Sequence, residues 1–116
     1  MHICLMYQKD FLKGTIKTML LCLLDEQGEM YGYEITQTVK SRTSEEINLT
    51  EGALYPALHK MEATLLVVST TKKIEGRTRK YYQLTPLGKK EAKKAKEGWS
   101  AFSSLMGHII NPMSHA

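Results

Sequence analysis

Three cations crowd into four positions of the stretch IEGRTRKYYQLTP, residues 74–86. Arg77, Arg79 and Lys80 follow a glycine, and Lys72 and Lys73 come just before it. Guanidinium and ammonium groups gathered at one loop are suited to binding phosphates, because phosphate oxygens accept charge-assisted hydrogen bonds from both. A solvated surface hairpin explains the same residues, and the local pattern alone does not decide between the two.

The charge distribution of the whole chain favours a polyanion as the partner. The net charge is +4 over 116 residues, but positions 72–96 hold ten Lys and Arg against two Glu, so this quarter carries +8 and the rest −4. Localised positive charge raises the concentration of a polyanion near one face of a protein. A solvated lysine-rich helix would also explain KKEAKKAK. The cations around the glycine are therefore the stronger evidence for a polyanionic partner.

No other set of residues predicts catalysis or metal binding. The four histidines have no metal-ligand spacing with one another or with the two cysteines; these residues are His2, His59, His108, His115, Cys4 and Cys22. The sequence contains no acid/base pair of carboxylates, nucleophile motif or glycine-rich phosphate loop. We therefore expect a protein that is not an enzyme and that needs no metal or cofactor.

Length and hydropathy predict one cytoplasmic domain. A chain of 116 residues with 42% hydrophobic residues suffices for a modest core. The longest apolar stretch, residues 19–24, is far shorter than the roughly 20 residues that span a bilayer, and MHICLMYQKD lacks a cationic start before its apolar part. Two cysteines without a CxxC motif fit a reducing compartment.

Three helices must position the cationic stretch. Apolar spacings of three and four predict a helix from Asp10 to Gly28, and after a turn MYGYEITQTVKSRTS predicts a second helix of about three turns. The third is EGALYPALHKMEA, with Thr50 as its N-cap. Its buried face is Leu54, Leu58 and Met61. Pro56 in its interior predicts a loose or kinked first turn.

A β-hairpin follows the third helix. LLVVSTT predicts a strand, KKIEG a turn, and TRKYYQLT the returning strand, with Tyr82 and Leu84 on the core face. Val67 and Val68 are adjacent and therefore place an apolar residue on each face of their strand. We expect one of the two valines to be exposed or covered by a partner.

The last predicted helix begins at Thr85 and Pro86, an N-cap followed by proline at the first helical position. Its apolar stripe steps by four and three through Gly88, Ala92, Ala95, Trp99, Phe102, Met106 and Ile109. A two-stranded hairpin cannot bury three heptads, so a second copy of the helix is the expected partner. We predict a dimer interface made by Ala92, Ala95, Trp99, Phe102, Met106 and Ile109.

Trp99 has a second possible role within that stripe. Its simplest role is packing at the dimer seam, but Ala95 and Gly98 leave space beside it. Two symmetry-related indoles flanking a gap would stack a flat aromatic ligand.

The predicted order is therefore three helices, a hairpin and a long helix: mainly α with a β-hairpin, a winged helix-turn-helix with a C-terminal dimerisation helix. We assign residues 1–85 to a winged-helix DNA-binding domain, 86–111 to the dimerisation helix and 112–116 to a flexible tail. In this architecture the third helix enters the major groove of DNA and the hairpin, or wing, lies along the backbone or minor groove. The cations around the glycine would then meet phosphates.

Four motifs extend this prediction to a family. GEMYGYEI, LTEGALYPALHKME, EGRTRKYYQLTPLGK and the tryptophan of KEGWSAF occur in this order, and the chain resembles the PadR-like transcriptional regulators over roughly residues 12–110. The resemblance implies a dimeric winged-helix repressor of a palindromic operator with a C-terminal dimer arm. In its short length the chain is similar to the compact branch of the family, some of whose members are released from DNA by aromatic molecules held at the dimer interface.

The resemblance also implies the DNA-binding residues. They are Thr50, Gly52, Ala53, Tyr55, His59 and Lys60 on the third helix, and Arg77, Arg79 and Lys80 on the wing, beside Lys72 and Lys73. Tyr55 either donates its hydroxyl to a phosphate or is a half-buried packing residue. His59 and Lys60 reach either base edges or phosphates.

The chain departs from the family pattern after the third helix. EATLLVV places Leu65 where relatives have a helix-ending glycine, and a leucine in a left-handed cap carries a steric cost. We therefore expect the helix to end differently, and the sequence leaves the angle of the wing open.

Two other partners remain open. A winged helix can serve as a protein-interaction module without specific DNA binding, but such a module does not need five cations around the wing tip. Structured RNA is a third candidate, although a two-fold dimer arm favours a duplex with spaced half-sites.

Overall fold

The computed structural model of the chain describes residues 5–111, and the side chains of residues 10–111. The elements in chain order are α1 Leu5–Gln27, β1 Glu29–Tyr31, α2 Gly32–Arg42, α3 Glu51–Ala63, β2 Val67–Ile74, β3 Arg77–Leu84 and α4 Pro86–Ile110. The predicted winged helix-turn-helix with a long C-terminal helix is confirmed. The predicted tail, residues 112–116, lies outside the described residues.

The sheet has one strand more than the sequence predicted. β1 pairs antiparallel with β3, with Met30 opposite Tyr82, and the strand order is β1-β3-β2. The sequence analysis placed only a turn between α1 and α2, because three residues are too few to show an alternating pattern. The wing is therefore joined to the helical core through β1.

The β2–β3 hairpin, which forms the wing, is longer than predicted. Its ladder runs from Val67 opposite Leu84 to Ile74 opposite Arg77, so the turn is only Glu75 and Gly76. Both turn residues have positive φ, 51° and 78°, as in the two-residue turns whose twist matches that of the strands. The predicted five-residue turn KKIEG was wrong in extent, since its first three residues belong to β2.

The core lies between the helices and one face of the sheet. Its largest fully buried side chains are Leu20, Leu21 and Leu24 of α1, Ile35 of α2, Leu49, Leu54 and Leu58 around α3, and Val67 and Tyr82 of the sheet. Tyr82 and Leu84 are buried as predicted. Val67 is buried and Val68 is 44% exposed, which confirms that one valine faces outward. Helix α3 continues through Pro56 to Ala63.

Helix α3 ends in a left-handed cap on Leu65. Leu65 has φ of 63°, and its N–H donates to the Glu62 carbonyl at 3.1 Å while the Leu66 N–H donates to the Met61 carbonyl at 2.8 Å. These are the two hydrogen bonds of a Schellman motif, which normally places glycine at the left-handed position. The expectation of a different helix end was wrong: the cap forms with leucine in it.

Helix α4 begins at the cap that the sequence predicted. The Thr85 hydroxyl accepts from the Gly88 N–H at 3.0 Å and donates to the Leu65 carbonyl at 2.6 Å. The start of α4 then packs on its own chain, with Gly88 and Ala92 buried and Lys96 Nζ 3.0 Å from the Asp25 carboxylate of α1. The long α1 therefore covers the first part of the stripe, for which the sequence analysis had expected a second copy.

Candidate nucleic-acid interface

Helix α3 presents one exposed face, opposite its buried leucines. Thr50 caps the helix by accepting from the Ala53 N–H at 3.3 Å, as predicted. Because Leu54, Leu58 and Met61 point into the core, the exposed residues of the helix are Glu51, Gly52, Pro56, His59, Lys60 and Ala63. Small side chains along this face allow close approach to another molecule, and His59 supplies a polar group at its centre.

Tyr55 takes the packing role that the sequence analysis left open. Its ring packs against the core, and its hydroxyl oxygen would lie 2.3 Å from a Cβ added at Gly32, the first residue of α2. Burial raises the pKa of this hydroxyl, with a further contribution from the Glu51 carboxylate. Tyr55 therefore sets how closely α2 and α3 approach each other, and Gly32 is the residue that permits this approach.

The five wing cations fall on two faces of the hairpin. Because side chains alternate along a strand, Lys72, Arg77 and Arg79 share one face, which we call the outer face, and Lys73 and Lys80 share the opposite, inner face. The inner face continues into the core through Tyr82. A sequence alone shows the alternation within each strand but not the register that joins the two strands.

Two outer-face cations are bound to aromatic rings. The Arg79 guanidinium lies 4.4 Å from the ring centroid of Tyr31, and Lys72 Nζ lies 4.9 Å from that of Tyr81. The two rings contact edge to face with centroids 5.2 Å apart, and Lys72 also pairs with Glu29. These contacts attach β1 to the base of the wing, so Arg79 and Lys72 act in positioning the hairpin.

The inner face is joined to the end of α3. Lys80 Nζ lies 3.7 Å from the Glu62 carboxylate, which accepts a hydrogen bond from the Ser69 hydroxyl at 2.6 Å. The bond from Ser69 lowers the pKa of Glu62, and Lys80 acts in the same direction against the effect of desolvation. This network fixes the wing relative to α3.

Arg77 and Lys73 remain exposed toward the end of the hairpin. Within residues 10–111 neither forms an ion pair or a cation–π contact. Arg77 also borders a concave surface of about 610 Å³ beside the N-terminus of α2, with Tyr31, Tyr33, Thr78 and Arg79. Sequence reasoning missed Tyr33, which is exposed and lines this surface, although it lies in a motif that was quoted.

The C-terminal half of α4 carries an exposed apolar surface. Trp99 is 53% exposed and Ile109 75%, and Phe102, Leu105 and Ile110 are exposed with them. Ala95 is half-buried, whereas Ala92 is fully buried in its own chain. The assignment of Ala92 to a dimer interface was therefore wrong: α4 turns this residue toward the core of its own chain.

A groove separates this half of α4 from α1. It has a volume of about 680 Å³, and its apolar lining includes Phe11, Trp99, Phe102, Met106 and Ile110. Phe11 is itself 70% exposed, so the apolar surface extends from α4 onto α1. We call this cavity the α1/α4 groove.

None of the helices within residues 5–111 is long and apolar enough to cross a membrane. In the same part of the chain, no three His, Cys, Asp or Glu side chains come together as a metal site would require. Cys22 is a free thiol whose pKa is raised by burial. Cys4, His2 and His115, which the sequence analysis considered as ligands, lie outside the described side chains.

Residues 20–94 match the family model of the transcriptional regulator PadR-like family. The chain is similar to a transcriptional regulator of Mycobacterium tuberculosis, with 31% identity over 87 residues that cover 75% of this chain and 76% of that protein. It is also similar to the solved structure of a transcriptional regulator from Clostridium thermocellum, with 34% identity and a TM-score of 0.74 over 89% of this chain and 96% of the other. The solved structure of a PadR family transcription regulator from Clostridium difficile is also similar, with 31% identity and a TM-score of 0.73 over 84% of this chain and 99% of the other.

Proposed function

Because the chain belongs to the PadR-like family of transcriptional regulators, we propose that it is a homodimeric repressor of a palindromic operator, acting in the cytoplasm. Helix α3 enters the major groove, and the wing follows the neighbouring backbone. The single observation that carries this proposal is that α3, with its exposed face, is joined through the Glu62–Lys80 ion pair to a hairpin that carries five cations. Gly52, Ala53, His59 and Lys60 meet DNA along the helix, and Lys73 and Arg77 meet it at the hairpin.

The roles of these residues differ. Lysine and arginine contacts to phosphates orient the protein without selecting a sequence, whereas an exposed side chain in the groove reads base edges. We assign phosphate binding to Arg77 and Lys73, and base contact to His59. Arg79, Lys72 and Lys80 hold the wing in place through Tyr31, Tyr81 and Glu62, and contribute to the positive potential around it.

The apolar surface of α4 supports the homodimer. Phe102, Leu105 and Ile109 are all more than half exposed and lie along one side of the helix, a patch that soluble monomers rarely leave in water. A two-fold pairing would cover it with the same surface from the second copy. The resulting dimer would present two copies of α3, which is what a palindromic operator requires.

Arg77→Ala tests the proposed phosphate contact. DNA fragments that the purified protein selects from a genomic library supply the operator, and binding is then measured over a range of salt concentrations. The substitution removes two contacts from a dimer, so the slope of log K against log[salt] should become shallower by roughly 2, at about 0.9 per phosphate. The weakening should be similar for all sequences, since phosphates carry no sequence information.

His59→Ala is the matched variant for that experiment. We expect it to change the preferred base at one symmetric pair of operator positions and to leave the salt slope near the wild-type value. A wild-type slope for Arg77→Ala would mean that the end of the wing does not touch the backbone. Failure of the wild-type protein to select any fragment would overturn the proposed function itself and favour the protein-interaction module.

We propose further that a flat aromatic molecule releases the repressor from DNA. The supporting observation is the α1/α4 groove, where Trp99 stands beside Phe11, Phe102 and Met106 and remains half-exposed. Release requires that the molecule bind the DNA-incompetent arrangement of the dimer more tightly than the competent one, because equal affinity shifts no equilibrium.

Trp99 makes that proposal measurable, because it is the one tryptophan in the chain. We expect flat aromatic cations or phenolic acids to quench its fluorescence and, at the same concentrations, to weaken operator binding. Quenching without any change in operator affinity would identify a ligand that is not an effector. If none of these compounds quenches the indole, Trp99 is a packing residue of the seam.

A further inference from the structure

A second cationic cluster lies on the side of α3 that faces away from the wing. Lys13 and Lys17 of α1 line one side of a shallow groove of about 420 Å³, and Lys60 of α3 lines it with them. The side chains between these cations are mainly apolar and include Ile16, Ala57 and Met61. We call Lys13, Lys17 and Lys60 the lysine edge.

The groove has a clear excess of positive charge. Glu91 of α4 is the one acidic side chain that lines it, and the Glu91 carboxylate lies 3.8 Å from Lys94 Nζ. Within residues 10–111, none of the three lysines of the edge forms an ion pair. All three are exposed, so their ammonium groups are available to an anionic partner.

The position of the lysine edge follows from the helical period of α3. Glu62, which pairs with Lys80 of the wing, is two residues from Lys60, so the two side chains leave α3 on opposite sides. The exposed face with Gly52, Pro56 and His59 lies between them. Helix α3 is thus bordered by cations on both sides, by the wing on one and by the lysine edge on the other.

We propose that Lys13, Lys17 and Lys60 bind the phosphates of the DNA strand that borders α3 on the side opposite the wing. This inference rests on the proposed DNA-binding function and extends it to helix α1. The major groove is about 12 Å wide, and an α-helix with its side chains is about 10–12 Å across, so a helix seated in the groove has a backbone close to each side. The wing contacts the backbone on one side of the groove, and the lysine edge contacts the backbone on the other side.

A duplex fits this surface better than a small anion does. The cations of the groove are lysines on flexible stems, which contact phosphates as point charges without a fixed geometry. Their apolar stems can lie along Ile16 and Met61 while the ammonium groups project toward solvent and the backbone. Lys60 belongs to α3 itself, so it joins the exposed face of that helix to the lysine edge.

The test compares two double variants of the full chain on a fragment that the wild-type protein selects. Lys13→Ala with Lys17→Ala removes four charges from the lysine edges of a dimer, and the salt slope should become shallower by about 3.6, at 0.9 per phosphate. Lys90→Ala with Lys93→Ala removes the same charge from exposed positions of α4 that do not line this groove. We expect the second pair to retain a slope within about 1 of wild type, because its loss of charge acts only at long range.

A third variant, Glu91→Gln, should strengthen operator binding instead of weakening it. Glu91→Gln removes the carboxylate from the groove without removing a lysine, and we expect operator binding to tighten by about twofold to threefold, the range of a weak exposed charge interaction. Circular dichroism and the thermal midpoint of each variant establish that it is folded before its DNA binding is compared.

The outcomes separate this inference from the proposed function. If the Lys13/Lys17 pair and the Lys90/Lys93 pair change the slope equally, the lysine edge does not touch DNA, although the repressor proposal stands. If the wild-type protein selects no fragment, the proposed function fails. A loss of slope for the Lys13/Lys17 pair alone, together with tighter binding by Glu91→Gln, is the expected result.

Discussion

Replacing Gly88 with alanine is expected to unfold most of the protein or to lower its thermal midpoint by more than about 10 °C. A Cβ at position 88 would lie 2.0 Å from the Leu66 carbonyl oxygen and 3.1 Å from a methyl group of Leu84. The methyl group can rotate away, but the carbonyl oxygen is backbone and accepts from the Thr85 N–H at 3.0 Å. The start of α4 would have to move from the cap that holds it, at a cost of about 3 kcal/mol or more.

Gly52→Ala is the control for this substitution. Gly52 is also a helical glycine, and the nearest atom to its added Cβ is the Thr50 hydroxyl oxygen at an ordinary 3.9 Å. Alanine is the better helix former, so we expect stability equal to wild type or higher by up to about 1 kcal/mol. Thermal unfolding followed by circular dichroism measures both variants. A Gly88→Ala midpoint close to that of Gly52→Ala would contradict the packing of α4 on the α3–β2 connection.

The family and much of the fold could be predicted because their signals are local. Thr50 and the pair Thr85 and Pro86 mark helix starts through their own chemistry, and Tyr82 and Leu84 show their burial by alternation along one strand. The matching family model confirms the resemblance and the expectation of a regulator that is not an enzyme.

Long-range pairing accounts for what the sequence did not reveal. The three residues of β1 gain their structure from β3, whose paired residues lie 50 to 54 positions later in the chain. Without that strand, Tyr31 had no visible partner, and Arg79 seemed to be a phosphate ligand equivalent to Arg77. The structure separates them, because Arg79 lies over the Tyr31 ring while Arg77 lies at the end of the hairpin.

Helix α4 shows a related ambiguity. A stripe of apolar residues indicates that a face is covered, but not whether the same chain or a second copy covers it. Ala92 and Trp99 are one heptad apart, yet Ala92 is fully buried by its own chain and Trp99 is half-exposed. The boundary is set by where the core ends along α4, which requires the position of α1 and not only the period of the stripe.

Leu105→Glu combined with Ile109→Glu is expected to convert the proposed dimer into a folded monomer. Both side chains are exposed, at 59% and 75%, and neither lines the α1/α4 groove. Glutamate is a good helix former, so α4 should persist in the monomer. In a two-fold dimer the double variant would bury four carboxylates, each at a cost of several kcal/mol unless paired. The dimer dissociation constant should therefore rise by at least about 100-fold, which corresponds to about 2.7 kcal/mol.

Ser100→Glu combined with Ser104→Glu is the matched control. Ser100 and Ser104 are also exposed and four positions apart on α4. Their replacement adds the same charge, on a face of the helix different from that of Leu105 and Ile109. Sedimentation velocity at micromolar concentration should show a monomer for the Leu105/Ile109 pair and a dimer for wild type and the serine pair. A monomeric wild type, or a Leu105/Ile109 variant that remains dimeric, would show that this surface is not the seam.

Tight binding to the operator should depend on the dimer. A monomer can occupy only one half-site at a time, and it loses the effective concentration that joining two DNA-binding units provides, typically a factor of 10²–10⁴. We therefore expect the Leu105/Ile109 pair to bind the selected operator at least about 100-fold more weakly, and to bind a single half-site as well as the wild-type protein does. The half-site measurement shows why operator binding is weakened. A variant with a damaged helix α3 would lose affinity for both the full operator and the half-site, whereas loss of the dimer would lower affinity for the full operator alone.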